Sequence, residues 1–485
     1  MEEKTIDLRF DPEAYVTKTV EVDGETVVYR AYENIIYVQK PVDPVFQSLH
    51  IYVPESAVGK KDVPIFFRNY VGGYMSTPPI TPDPGQEPAF LGVGLRYALK
   101  KGYVAVSPGA RGREDVTDGV FTGKAPADIV DLKAAIRYLR YNADVIPGNM
   151  NLIISDGSSA GGAMSALLGT TGNNKAYEPY LRRIGAAEER DDIFAAVCFC
   201  PIIDLEHANS AYEWMFGSVT DFSMMKPRVV DNSLVFDPVE IHFDGEKAAL
   251  SSRFAQEFAK YINTLALRHP LTGEVLDLQP GADEGGWFDY LLEKLGESAS
   301  GYLAELDDKA RREYLVQCPW LRYDAQTGKA VIDPENFRDY VAYVSRGKDC
   351  PSFDGFACEI TENSLFGTET IPGNHFDDAL EAVSGDTGAY IVPDSIRAQI
   401  ALMNPMVQLK QPESTIAPCF YIRWGSRDSN HGFSAPMNLA LALENTGKCR
   451  EVDFAFAWEY DHDGDYRLEE LFGWIDKCVQ TSKTR

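Results

Sequence analysis

One serine of this chain stands in a setting that makes it a nucleophile. The segment 151–155 reads as a short buried strand and runs into Gly157-Ser158-Ser159-Ala160-Gly161-Gly162, after which Ala163-Met164-Ser165-Ala166-Leu167-Leu168 reads as a helix. Gly-x-Ser-x-Gly between a strand and a helix is the nucleophile-elbow pattern, a sharp turn that lifts the hydroxyl to the edge of a sheet. The glycines matter because the serine takes a strained φ/ψ, and side chains on either side would collide with the neighbouring strand and helix. Chance alone gives the five-residue pattern about 0.2 times in a chain of this length. The strand–turn–helix context therefore carries the assignment, against the plainer alternative of a tight turn of small residues.

A serine needs a base, and the base needs an acid to orient it. Histidine occurs only at 50, 207, 242, 269, 375, 431 and 462. His462 follows an expected strand at 451–458 and precedes the last expected helix, whereas Asp428 follows an expected strand at 417–425. Ser159, Asp428 and His462 then fall in the chain order serine, acid, histidine that belongs to the elbow. His431 is the rival base, but it lies too close to Asp428 in sequence to come from a separate loop. Asp204 and His207 follow an expected strand at 193–203, as loop residues or as part of a cleft wall. Asp461, Asp463 and Asp465 around His462 read as a solvated acidic turn. A tetrahedral intermediate also needs N–H donors. Ala160, directly after the nucleophile, supplies one, and the paired Gly72 and Gly73 in the loop after an expected strand at 64–70 supply the other.

The elements that must position these groups alternate. Expected strands lie at 28–39, 47–53, 64–70, 102–107 and 151–155, with expected helices at 88–101 and 127–142. Ile129, Leu132, Ile136 and Leu139 fall on one stripe of the second helix. Strands alternating with helices imply crossovers and a mostly parallel buried sheet with helices on both faces, an α/β fold. The alternation stops near residue 204. From there to about 395 only helices, such as 246–267 and 307–315, separated by polar stretches, are expected, before strands return at 417–425 and 451–458 with helices near 435–445 and 467–480. The reading is one core, residues 1–204 and 396–485, interrupted by a mainly helical lid at 205–395.

Composition limits the partners. Forty-six Lys and Arg against 73 Asp and Glu leave a formal charge of −27. Such a surface repels phosphate backbones and anionic membranes, so nucleic acid and lipid are excluded in favour of small molecules. Eight cysteines show no paired metal-ligand spacing and are too few for a disulfide scaffold, and Cys198 and Cys200 alternate as strand residues do. The start of the chain has no signal-peptide pattern and no long apolar run follows, which predicts a cytoplasmic protein with reduced thiols. No metal or organic cofactor is implied, and the oligomeric state is left open.

The motifs together resemble the bacterial tannases and tannase-like esterases. GSSAGG, RNYVGGYM, APADIVDLKAAIRYLRYN, RWGSRDSNHGFS and HDGDYRLEELFGWI carry the resemblance in both halves of the core, and GKDCPSFDGFACEITENSLFG extends it into the lid. The resemblance implies an α/β-hydrolase that cleaves gallate or related phenolic esters, with Lys348 and Glu362 holding the ring hydroxyls. A surface ion pair is what those two residues would suggest without it. The family's second aspartate, two residues after the catalytic one, is here Asn430, which leaves hydroxycinnamates as well as gallate open as acyl groups. The cysteines flanking the triad in the fungal tannase and feruloyl esterase family are absent. A general carboxylesterase or peptidase would share every core residue, and a non-enzymatic binding protein of the same fold would be expected to lack a triad member.

Overall fold

The computed structural model describes residues 5–85, 91–230, 233–385, 388 and 390–483. Its main sheet has nine strands: β1 Val16–Val22, β2 Glu25–Ile36, β3 Ser48–Pro54, β4 Ile65–Arg68, β5 Val104–Pro108, β6 Ile153–Ser158, β7 Ala195–Phe199, β8 Cys419–Gly425 and β9 Glu451–Ala457. They lie side by side in the order β1-β2-β3-β5-β4-β6-β7-β8-β9. The pairings from β1 through β3 to β5 are antiparallel, and all those from β5 to β9 are parallel. This is the α/β-hydrolase architecture. It puts the carboxyl ends of β4, β6, β8 and β9 on one edge, where the expected reactive residues sit.

The central strands are apolar on both faces because helices cover both. Every residue of β4, β5, β7 and β8 is buried. Helix α1, Ala127–Tyr141, has all but its last residue buried, and α2, Ala160–Thr170, is buried throughout. The last helix, α3 Leu468–Lys483, shows how such a cover forms. Leu471, Phe472, Ile475 and Val479 recur at helical spacing and are buried. Phe472 packs its ring 5.1 Å from Phe66 on β4 and 5.4 Å from Tyr103. Truncating it to alanine would cost roughly 3–5 kcal/mol.

Three features differ from the sequence expectation. β1 was not expected at all. The expected helix at 88–101 runs from Val93 to Lys100, and part of that expectation, 88–90, lies outside the described residues. Residues 205–395 give no strand to the main sheet, yet they are not purely helical. They contain a ribbon pairing Asp221–Val230 with Ser233–His242 and a smaller hairpin pairing Leu321–Asp324 with Lys329–Ile332. Pro227 and Pro238 argue against strands, but a two-stranded ribbon has outer edges where a missing N–H costs no ladder bond. The segment also shares its core with the sheet. Tyr340 stacks on Trp458 at 5.9 Å, and Trp214, Phe258 and Trp287 form an aromatic knot with centroids 5.2–5.6 Å apart.

Candidate active site

Ser159 is the hinge between β6 and α2, with φ 60° and ψ −126°. A non-glycine residue here is strained and persists only because its surroundings hold it. Its N–H donates to Phe199 O at 3.0 Å, and its carbonyl accepts from Ala163 N at 3.0 Å. A Cβ on Gly157 would stand 2.1 Å from Gly161 O, so only glycine allows the chain to double back. The hydroxyl is thereby fixed at the head of α2.

Two loops at the same edge bring the other groups to it. His462 Nε2 lies 2.8 Å from Ser159 Oγ, and His462 Nδ1 lies 2.7 Å from Asp428 Oδ2. The Asp428 side chain is fully buried, and its other oxygen accepts from Asn430 N at 2.8 Å. Burial disfavours the charged imidazole, but the hydrogen bond and charge of Asp428 outweigh it and hold the His462 pKa above its ordinary value. A hydroxyl on an imidazole that is itself held by a buried carboxylate can be deprotonated as it attacks a carbonyl. The rival His431 is placed elsewhere. It is buried against Phe353, its Nδ1 faces Gly432 O, and burial pushes its pKa down to about 3.

Ala160 is the first residue of α2, so its N–H has no acceptor within the helix. Gly72 and Gly73 sit exposed in the loop after β4, with open space around a Cβ on Gly72. Sequence reasoning gave no role to Asn69, yet it fixes this loop. Its amide donates to Asp156 O, Gly161 O and Ser165 Oγ at 3.0–3.2 Å, tying β4 to the elbow.

Lys348 Nζ lies 3.4 Å from Glu362 Oε1 and 3.5 Å above the Phe353 ring, both side chains being about four-fifths buried. Arg113 joins their neighbourhood to the glycine loop, donating to Gly73 O at 2.8 Å and to Ser364 Oγ at 2.5 Å. Asn430 is exposed two residues beyond Asp428.

The acidic turn is solvated at Asp461 and Asp463, as the sequence suggests, but not at Asp465. Asp461 is exposed, but the Asp465 side chain is only 10% exposed and meets Arg68 at 3.2 Å. Arg68 also reaches Asp156 on β6 at 3.0 Å. Burial, reinforced by Asp465 and opposed by Arg68, pushes the Asp156 carboxyl well above the usual range. Glu459, with φ 64°, ties the same turn to residues 205–395. Its carboxylate accepts from Tyr314 at 2.5 Å, Tyr343 at 2.9 Å and Arg427 at 3.3 Å.

Among the described residues, two sets of possible metal ligands come together in space that spacing did not show. Cys200, Asp428 and His462 each offer an atom within 4.8 Å of the others, as do Asp204, Glu206 and His207. Cys200 donates to Asp463 O at 3.3 Å, and burial, above all, raises its pKa. Asp204 accepts from Tyr261 at 2.6 Å and Asn404 at 2.9 Å, and His207 stacks on Tyr261 at 3.5 Å. Those bonds anchor the chain where it leaves β7.

Known proteins match this arrangement over nearly its whole length. The structure of Fusobacterium nucleatum tannase is 38% identical and superposes with a TM-score of 0.85, covering 98% of this chain and 99% of that one. The chain belongs to the bacterial tannase family. Lactobacillus plantarum tannase is 35% identical with a TM-score of 0.88, covering 97% of this chain and 99% of that one. A structure of tannin acyl hydrolase in complex with ethyl gallate is 35% identical with a TM-score of 0.85 over the same shares, and another is in complex with 3,4-dihydroxybenzoate. The family model BD-FAE matches residues 49–233. Among curated proteins, Esterase LipQ of Mycobacterium tuberculosis is 32% identical over 111 residues, 23% of this chain, and the match spans 25% of its own length. This tannase-family chain is a carboxylic ester hydrolase. Among the described residues no helix is long and apolar enough to cross a membrane.

Proposed function

We propose that the chain is a serine esterase acting on phenolic acid esters through an acyl-enzyme. Ser159 attacks the ester carbonyl while His462 takes its proton, and Asp428 holds the imidazole and stabilises its charged form. The Ala160 N–H and an amide of the Gly72–Gly73 pair take the charge that develops on the carbonyl oxygen. His462 then returns the proton to the leaving alcohol, and water, activated by the same imidazole, releases the acid. The observation that carries this reading is the single imidazole hydrogen-bonded at once to Ser159 Oγ and to a buried carboxylate.

The acyl group is assigned to Lys348, Glu362 and Asn430. A partly buried ammonium beside a carboxylate offers a donor and an acceptor to ring hydroxyls, and Phe353 offers an apolar wall. The hydroxylated benzoyl ligands of the related tannin acyl hydrolases support this class. Residues 1–204 and 396–485 form the catalytic core in this reading, and 205–395 form the lid that brings Lys348 and Glu362 to it. Eight free cysteines fit a reducing, cytoplasmic setting.

Parallel assays on methyl gallate, methyl ferulate and p-nitrophenyl acetate test the reading. A phenolic methyl ester should have the highest kcat/KM. Faster turnover of p-nitrophenyl acetate than of both phenolic esters would leave a general carboxylesterase.

A further inference from the structure

Lys348 and Asn430 are carried by segments 346–348 and 428–430, far apart in sequence, and one buried hydroxyl joins the two. Tyr212 lies on a helix, Ala208–Phe216, that is buried along its whole length. Its hydroxyl accepts from Gly347 N and from Lys348 N, each at 3.0 Å, and donates to Ser429 O at 3.0 Å. A hydroxyl has one proton to give and two lone pairs, so these bonds use its full capacity. Burial, first of all, raises the Tyr212 pKa, which keeps it a donor at any working pH.

The next residue on that helix holds the other end of the same peptide. Glu213 and Arg346 form an ion pair with both side chains fully buried, at 2.5 and 2.8 Å, and Arg346 Nε donates to Lys348 O at 2.6 Å. Lys348 thus has its N–H held by Tyr212 and its carbonyl held by the Glu213–Arg346 pair. The two segments also touch directly. A Cβ on Gly347 would stand 2.9 Å from Ser429 Oγ and 3.5 Å from Ser429 O, so the loops lie in van der Waals contact at this point.

We propose that Tyr212 and the Glu213–Arg346 pair are the positioning residues for acyl-group selection, fixing the Lys348 main chain against the loop that carries Asp428 and Asn430. This rests on the assignment of Lys348 to ring recognition. The lysine stem is flexible, and what selects a ring is where its Cα is held relative to the reacting carbonyl. One hydroxyl bonded to both segments sets that separation, so ring hydroxyls are read at a fixed distance from Ser159. Burying an ion pair is costly, and Ser251 Oγ on Glu213 at 2.6 Å and the Phe243 ring 4.7 Å from the Arg346 guanidinium help to hold this one. Its bond to Lys348 O gives it a role in the site.

Tyr212→Phe keeps the ring and its packing while leaving two N–H groups and one carbonyl without their partner. The kcat/KM ratio of methyl gallate to p-nitrophenyl acetate should fall on the order of tenfold, about 1.4 kcal/mol, with most of the loss in KM for the phenolic ester. In a Lys348→Ala background the same change should lower the ratio by less than twofold, because residues acting through one another are not additive. Equal losses on both substrates, or additive losses in the double variant, would reduce Tyr212 to general scaffolding and overturn the proposal. The wild-type assay separates the two levels. If wild type prefers methyl gallate and Tyr212→Phe leaves the ratio alone, the positioning role fails and the function stands. If wild type shows no preference for a phenolic ester, the function fails and takes the selecting role with it. Thermal unfolding of Tyr212→Phe, followed by circular dichroism, confirms that the variant being assayed is folded.

Discussion

Ser159, Asp428 and His462 come together at the ends of β6, β8 and β9, whereas Lys348 and Glu362 reach the same edge on a segment that adds nothing to the main sheet. The first group is placed mainly by backbone. Parallel strands in fixed register deliver three loops to one edge, the strained turn at Ser159 presents its hydroxyl, and the Arg68–Asp465 and Glu459 contacts steady the His462 turn. The second group is placed by long side chains that bond to partners far away in sequence, as Tyr212 does to Ser429 O, Arg113 to Gly73 O and Ser364 Oγ, and Arg346 to Glu213. Geometry of the first kind survives wide changes of surface residues. Geometry of the second kind depends on single atoms, which makes it the part of the molecule where a new acyl preference can arise without disturbing the chemistry.

The largest effect should come from the backbone-placed group. Ser159→Ala should lower kcat roughly 10⁶-fold on every ester while substrate still binds. Steady-state rates beside labelling by a serine-directed phosphonate check this, and a variant keeping a tenth of wild-type turnover would remove Ser159 from the chemistry. His462→Ala should do similar damage, and His431→Ala should act mainly on KM.

Asp428→Asn comes next, with a loss in kcat on the order of 10⁴-fold. It should also move the pH profile. Only the neutral imidazole accepts the serine proton, and Asp428 favours the charged form. Wild-type activity is therefore lost, as pH falls, through a pKa above the ordinary value of about 6.5. The Asn variant should keep its residual activity to lower pH. An acid limb that stays in place would assign the raised His462 pKa to another group.

Arg68→Met tests how far the core half relies on backbone. It removes the cation between Asp156 and Asp465, and breaking such a buried pair costs roughly 3–5 kcal/mol. A shift of that size in urea unfolding is expected, with a fall in kcat because Asp465 is three residues from His462. Unchanged stability would mean that the pair already shares a proton and needs no counter-charge.

The smallest effect belongs to the proposed acyl-group contacts. Asn430→Asp introduces an acid that accepts more strongly from a hydroxyl donor than the amide does. The ratio of kcat/KM for methyl gallate over methyl ferulate should rise on the order of tenfold, about 1.4 kcal/mol. A constant ratio would mean that residue 430 does not touch the ring.

The same contrast explains what could be read from the sequence. The main-sheet strands from β2 to β9 and the helices near 127–142, 435–445 and 467–480 were legible within a few residues, because buried strands and one-sided helices leave strong apolar periods. That Ser159, Asp428 and His462 meet was legible because an elbow fixes the chain order of its partners. β1 was missed because its residues alternate with exposed Thr, Lys and Glu at a sheet edge. Asp465 was misread as solvated because its partner, Arg68, lies on a strand at the other end of the chain. Tyr212, Asn69 and Arg113 carry no local signature at all. A hydroxyl or amide that serves a distant main chain looks, in sequence, like any other buried polar residue.

Glu459 has a consequence for the order in which the enzyme becomes active. Synthesis runs from the amino end, and domains tend to fold as they emerge. Ser159 and the Gly72–Gly73 loop leave the ribosome first, followed by Tyr314 and Tyr343, and only then by the turn that carries Glu459 and His462. Because Glu459 accepts from both tyrosines, the turn has a docking surface waiting for it when it appears. A nascent chain thus carries Ser159 without His462 for most of its synthesis, and the imidazole arrives late, onto a scaffold already assembled to receive it.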